Sequence, residues 1–253
     1  MLDYKTIFEE RGDSYNRAHQ IAPLARAEEL SALLKWLRPQ VGETILVTAA
    51  GGGFDAEGIL KSVPAPGCRV VCAEPSKEFA SIISKHLEVH LCPLDCIPIK
   101  SGTVDAVVNL AAMHHSESPE NEIREWVRLL NPHGRLVIAD VEDNTNPARF
   151  LNEAVDRYNP SGHQGRFLIP GATTTLLKQV GPWKSIQEKV EHYHWRFCSE
   201  FEMKDFTRNL FGMSQASDTQ IIDSISNYLG YSSRESEGAI SYPWSLRFVV
   251  AQK

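Results

Sequence analysis

The chain has 253 residues, with 26 lysines and arginines against 32 aspartates and glutamates, for a formal net charge of −6. Hydrophobic residues at 42% and charged residues at 23% exclude a disordered, collagen-like or coiled-coil chain. The acidic balance argues against broad electrostatic binding to nucleic acid or an anionic membrane. No apolar run approaches the ~20 residues of a membrane helix, so no membrane insertion is expected. The opening Met1-Leu-Asp-Tyr-Lys-Thr-Ile-Phe lacks the basic-then-apolar order of a signal peptide. Five cysteines include two pairs, Cys68 with Cys72 and Cys92 with Cys96, each separated by three residues rather than the two of a zinc knuckle. Reduced thiols in a cytoplasmic protein are therefore expected, with neither a metal nor a disulfide.

In chain order, Leu30, Leu33, Leu34 and Leu37 recur at helical spacing from about Pro23, and Pro39 ends the run. Thr44-Ile-Leu-Val-Thr-Ala-Ala reads as a buried strand broken by Gly51-Gly52-Gly53. A short helix to about Val63 leads to a second strand, Arg69–Glu74, kept extended at its end by Pro75. A helix carrying Phe79, Ile82 and Ile83 inward comes next, then strands at Val89–Cys92 and Val104–Leu110. Ser118 is a candidate N-cap for a helix with Ile123, Trp126, Val127 and Leu130 as its apolar stripe. Asn131-Pro-His-Gly134 then turns the chain into a fifth strand, Arg135–Asp140. Strands alternating with helices predict a parallel sheet covered on both faces. After residue 145 come helices from about Pro147 and Gly171, then a long strand, Ser185–Phe197. Two capped helices (Ser199 with Glu202, Ser217 with Gln220, the second closed by Gly230) precede a last strand, Tyr242–Gln252.

The glycine turn after the first strand suits close backbone approach by a nucleotide-like ligand, with the N–H groups of the next helix beside it. Glu74, 21 residues beyond Gly53 at what reads as an exposed strand end, can accept both hydroxyls of a ribose. Together they predict an adenosine-containing cofactor, either a dinucleotide or S-adenosylmethionine.

With these motifs the sequence resembles the class I S-adenosylmethionine-dependent methyltransferases, in particular the small-molecule group that includes quinone and biotin-pathway methyltransferases. Thr44-Ile-Leu-Val-Thr-Ala-Ala-Gly-Gly-Gly-Phe54 lies where that family has its first motif, and Glu74 where it has its ribose acid. Leu94-Asp95-Cys96 matches the acid that meets the adenine amino group, and Ser101–His115 the fourth strand and its loop. Leu130–Asp140 matches the turn into the fifth strand. The resemblance implies a Rossmann-like, doubly wound α/β fold with a mostly parallel seven-stranded sheet and an antiparallel last strand. It divides the chain into a helical cap segment at 1–40, a methyltransferase domain at 41–198 and 240–253, and a helical lid inserted at 199–239. It also implies S-adenosyl-L-methionine held by Ala49, Gly51, Gly53, Glu74, Pro75, Asp95, Cys96 and Leu110. The family carries histidine in the loop after the fourth strand without a fixed catalytic duty, and His115 there is a candidate proton acceptor on its own chemistry.

Two residues depart from the family pattern. Val47 stands where an acid usually helps to organise the methionine end of the cofactor, and Ala49 replaces the first glycine of the turn. Either the loop is shaped differently, or cofactor binding has weakened. Asp55 can supply a substitute charge, or serve as a first-turn helix acid. His114 reads as a packing residue and His163 as part of a structural loop, while Tyr15 and His19 fall where such enzymes cover the cofactor. Trp183, Trp195, Phe197, Phe201 and Phe206 either line an aromatic pocket or build core. The reading overall is methyl transfer to a small-molecule acceptor, with nucleic acid or protein substrates disfavoured by charge. Its alternatives are a degenerate binding or regulatory module and a nicotinamide-dependent oxidoreductase.

Overall fold

The computed structural model describes residues 12–234 and 239–253. The first eleven residues of the expected cap and residues 235–238 of the expected insertion lie outside the described residues. The chain opens on helices α1 (Gly12–Ile21) and α2 (Ala27–Leu37). It continues through β1 (Thr44–Thr48), α3 (Phe54–Ser62), β2 (Arg69–Glu74), α4 (Lys77–Ile82), β3 (Glu88–Leu91), β4 (Val104–Leu110), α5 (Pro119–Leu129) and β5 (Leu130–Asp140). Beyond it lie α6 (146–158, with a wider π turn at Phe150–Val155), α7 (Ala172–Val180) and β6 (Ser185–Phe197). The last elements are α8 (Glu200–Phe211), α9 (Asp218–Ser224), β7 (Ser232–Arg234) and β8 (Ala239–Gln252).

The strands form one sheet in the order β3-β2-β1-β4-β5-β8-β6, parallel from β3 to β5, with β8 antiparallel to both β5 and β6. This is the expected doubly wound arrangement. A short eighth strand, β7, pairs with β8 beside it. Alternation sorts the apolar side chains to two cores. Ile45 and Val47 of β1 pack in the cluster that takes Leu33 and Leu37 of α2 and Ile59 of α3. Leu46, between them, joins Ile123, Trp126 and Leu129 of α5 and Leu177 of α7 on the other side. Continuous Val/Ile/Leu runs in the parallel strands follow from burial on both faces.

Several local details differ from the sequence reading. Helix α1 is largely polar and lies within the expected helical cap; the apolar run expected from Pro23 becomes helical at Ala27. Ser118 precedes α5 without a side-chain capping bond. The Ser199 hydroxyl accepts the Glu202 N–H at 3.1 Å, whereas only Ser217 and Gln220 complete the reciprocal capping box. The Asn131–Gly134 turn becomes an irregularity within β5, where Val104 pairs with Leu130 and Ala106 already with Arg135.

Between β1 and β4 the winding reverses: β2 and β3 extend to one side, and β4 and β5 to the other. In open α/β sheets ligands bind beyond the strand C-termini at such a point. Val47 sits there fully buried, paired in register with Cys72 and Val108. A carboxylate at this position enters apolar surroundings, so Val47→Asp is expected to lower unfolding stability by roughly 1–3 kcal/mol. A denaturant midpoint equal to that of the wild type would show that a polar pocket persists beside this strand.

Candidate active site

Three cavities run along the C-terminal ends of the strands. The first has about 430 Å³ of open space and is bordered by Ala49, Gly51, Asp55, Leu110 and Ala111. The second, with about 690 Å³, is bordered by Pro75, Leu94, Asp95, His115 and Glu122. The third, with about 560 Å³, is bordered by Ala111, His114, His115, His163, Trp195 and Trp244. Ala112 is shared by the first two, His115 by the second and third, and Tyr15, Arg26 and Ala111 by the first and third. The three therefore adjoin one another, as expected of a site for two ligands side by side.

The glycine turn keeps a left-handed course despite its alanine. Ala49, Gly51 and Gly53 have φ of 51°, 54° and 87°. The turn is made with Ala49 in the left-handed region, and the backbone carries the strain. A side chain in this region costs roughly 1–2 kcal/mol. Gly53 is the N-cap of α3, and a Cβ there would stand 3.4 Å from Ile83 Cγ2.

Glu74 is fully buried, which corrects the expectation of an exposed strand end. Its carboxylate accepts the Gly51 N–H and the Ser76 N–H, each at 2.8 Å, and so ties the glycine turn to the end of β2. Pro75 and Asp95 border the second cavity, and Leu110 the first. Cys96 is exposed and borders none of the three. Burial, reinforced by the nearby Asp95 carboxylate, pushes Glu122 up to about 7.

Under the first and third cavities lies a polar network that no motif announced. Arg26 and Glu29 form a buried ion pair, and the Arg26 guanidinium also donates to the Tyr15 hydroxyl at 3.1 Å. Glu29 accepts from Tyr193 Oη and Trp195 Nε1, both at 3.1 Å. Arg26 lies over the Phe54 ring, 4.8 Å from its centroid. Asp55 is buried beside this group. Burial pushes it up to about 6, against the opposing pull of Arg26, so it is not a simple surface helix charge. His19 stacks on Phe54 with centroids 4.7 Å apart, and burial with the Arg26 charge brings it down to about 3. Arg26 and Glu29 are three residues apart near the start of α2, where such a pair ordinarily sits on a solvated helix face. The available signal was Tyr193 and Trp195, whose polar atoms need partners when buried.

Of the aromatic residues considered from the sequence, Trp195 borders the third cavity. Phe197 and Phe206 are core, Trp183 packs partly buried, and Phe201 is exposed. Phe211 and Trp244 join Trp195 at the wall. His114 and His163 both border this cavity with His115, which goes beyond the packing and loop roles read from sequence.

Residues 46–138 match a family model described as a methyltransferase domain. A demethylmenaquinone methyltransferase of Clavibacter sepedonicus is 26% identical over 73% of this chain and 74% of its own length. An uncharacterised 37.1 kDa protein in a transposon of Streptomyces fradiae is 28% identical over 44% of this chain, and the match spans only 33% of that relative's length. A solved Thermotoga maritima structure, described as an S-adenosylmethionine-dependent methyltransferase and possible histamine N-methyltransferase, superimposes with a TM-score of 0.64 at 17% identity. It covers 98% of this chain and 99% of its own. Residues 46–138 thus match a methyltransferase domain, and the chain as a whole has the fold of the solved methyltransferase structure.

Two outcomes follow from this geometry. Ala49→Gly relieves the left-handed strain but adds unfolded-state freedom, so it is expected to be neutral or stabilising by up to about 1 kcal/mol. An ordinary loss of about 1 kcal/mol in the unfolding midpoint would mean that Ala49 is not strained. Asp55 has a folded pKa above its unfolded value, so folding binds its proton more tightly and stability falls as pH rises from about 4 to about 6. Asp55→Asn removes that slope. The variant should gain on the wild type through this window by on the order of 2–3 kcal/mol and hold the gain above it. Parallel stability–pH curves for the two proteins would contradict this assignment.

Proposed function

We propose that the chain transfers the methyl group of S-adenosylmethionine to a small organic acceptor, with the cofactor along the first two cavities and the acceptor in the third. The observation that carries this reading is the placement of Asp95 and of Ala49 and Gly51 of the left-handed turn along adjoining cavities at the winding reversal, with the buried Glu74 holding the Gly51 N–H behind them. On this reading Glu74 serves the ribose, Asp95 and Pro75 flank the adenine, and Ala49, Gly51, Gly53 and Leu110 shape the floor. Cys96 has no part in this reading, since its side chain is exposed and borders none of the three cavities. The Asp55–Arg26–Glu29 group takes over the charged duty that Val47 cannot perform.

When bound, the cofactor supplies a methyl made electrophilic by its sulfonium. The chain has to align an acceptor in line with that methyl and keep water out. His115 borders both the Asp95 cavity and the acceptor cavity, so an acceptor that still carries its proton meets an imidazole there. Leu210 and Phe211 of α8 wall the acceptor side, which supports residues 199–239 as the selecting lid. Helix α1 covers the glycine turn: Tyr15 Cε1 stands 3.7 Å from the position of a Cβ on Gly51. The net charge of −6 supports a small acceptor over nucleic acid. No helix among the described residues is long and apolar enough to cross a membrane, and the five free cysteines support a cytoplasmic location.

Thermal-shift measurements with S-adenosylmethionine, S-adenosylhomocysteine and nicotinamide dinucleotides test the reading. A ligand at 100 times its dissociation constant adds about 2.7 kcal/mol, and the rise is expected with the two adenosyl sulfur compounds alone. Glu74→Gln should weaken S-adenosylhomocysteine binding by about 1.5–3 kcal/mol in calorimetric titration. It should also lower the stability of the ligand-free protein, because the buried carboxylate holds two backbone N–H groups. Shifts with dinucleotides, or none with any compound, would refute methyl transfer by this chain. Full ligand affinity in the Gln variant would displace the ribose site from Glu74.

A further inference from the structure

At the floor of the third cavity, three buried histidines converge from two separate loops. His114 and His115 come from the turn after β4, and His163 from the loop after α6. One ligand-capable atom from each lies within 4.8 Å of the other two. Ring centroids are 4.0 Å apart for His114 and His115, 5.5 Å for His114 and His163, and 5.3 Å for His115 and His163.

Hydrogen bonds fix how two of these rings present their nitrogens. Asp140, fully buried at the end of β5, accepts from His114 Nδ1 at 2.7 Å through Oδ1 and from the His114 backbone N–H at 2.9 Å through Oδ2. The same Oδ1 accepts the Val141 N–H at 2.7 Å. The His114 proton therefore sits on Nδ1, and Nε2 carries the lone pair. His163 Nδ1 lies 3.2 Å from Asn152 Oδ1. The amide orientation is set independently, because Asn152 Oδ1 accepts the Gly165 N–H at 2.9 Å while Nδ2 donates to the Gly165 carbonyl at 3.1 Å. His163 must then donate from Nδ1, and its Nε2 also holds a lone pair. A carboxylate or amide oxygen behind the distal N–H of an imidazole is the arrangement that orients metal-ligating histidines and raises their basicity.

The two loops are locked together. Arg166 N–H donates to the His114 carbonyl at 3.0 Å, and Leu168 N–H to the Val141 carbonyl at 2.9 Å. Gly165 permits the contact: a Cβ there would lie 3.0 Å from His114 Cδ2 and 2.8 Å from Phe167. Phe167 in turn stacks on His163, with an interplanar angle of 17°.

We infer that His114, His115 and His163 bind a divalent first-row transition metal ion, of which zinc best suits three imidazoles with a fourth position open to the acceptor cavity. Three nitrogens at 2.0–2.1 Å from one ion are about 3.3 Å apart, so ring atoms now within 4.8 Å of one another need close by no more than about 1.5 Å. The open position would take an oxygen, nitrogen or sulfur donor of the small molecule in that cavity. Coordination occupies lone pairs that general-base catalysis needs, so the ion and a free-imidazole base are alternative uses of the cluster. The inference depends on the three side chains and not on methyl transfer, so either can fail without the other.

The test uses the full chain, treated with EDTA, dialysed and titrated calorimetrically with zinc sulfate, alongside cobalt(II) substitution. One ion per chain is expected, with a rise in melting temperature and the intense visible d–d bands of low-coordinate cobalt bound by nitrogen. His163→Ala and His114→Ala should abolish stoichiometric binding, and Asn152→Ala should weaken it about 10- to 100-fold. His86→Ala and His90→Ala, at half-exposed or exposed sites outside the cluster, should leave it unchanged. Absence of stoichiometric zinc binding by the wild type would overturn the inference. So would wild-type affinity in a folded His163→Ala protein, or loss of binding in the His86 or His90 variants. The wild-type cobalt spectrum decides the matter should the cluster variants fail to fold: bands of a six-coordinate, water-like ion would also overturn it.

Discussion

Glu74 carries a buried negative group at the end of β2 whose two oxygens hold the N–H groups of Gly51 and Ser76. A carboxylate removed from water is tolerated only where donors replace its hydration. Here those donors are backbone groups of the turn after β1 and of the turn after β2 itself. The interaction therefore joins two strand ends at the winding reversal and fixes the course of the glycine turn. That course includes the left-handed Ala49. The first cavity exists because the turn bends in this way, and α1 then closes over it with Tyr15.

A second group of charges works on the same physics with different means. Arg26 and Glu29 are buried as a pair, with Tyr15, Tyr193 and Trp195 supplying further hydrogen bonds. Buried ion pairs seldom add net stability over apolar packing of similar volume, but leaving one member alone is costly. The network consequently binds α1, α2 and β6 to one arrangement around the cavities. Asp55 stands beside it with its proton more tightly held than in water. A change of charge in the adjacent cavity would act first on this acid. The histidine cluster is held by other partners, Asp140 and Asn152, and borders the same third cavity as Arg26 and Glu29.

The late elements connect the two halves of the site. Strand β8 enters between β5 and β6 and completes the sheet, while the chain between β6 and β8 supplies α8. Helix α8 buries Met203, Phe206 and Leu210 against the same core as Ala18 of α1. Two segments distant in sequence thus cover the cavities together, and movement of one has consequences for the other.

The sequence alone determined the alternation of strands and helices, the glycine turn and Glu74 at a strand end, because periodicity and punctuation are local properties of the chain; the antiparallel direction of the last strand came from the family resemblance. Both Ser185–Phe197 and the Ser217–Gln220 capping box were readable for that reason. It also identified Val47 and Ala49 as departures, but not their outcome: backbone strain at Ala49 depends on what holds the turn from outside. Only the tertiary structure decided that Glu74 is buried and that Arg26 and Glu29 leave the solvent. It alone brought His163 to His114 and His115 across roughly fifty residues of chain. Burial and convergence of this kind are set by how elements pack, and an isolated His, Arg or Glu carries no mark of the partners that packing brings to it.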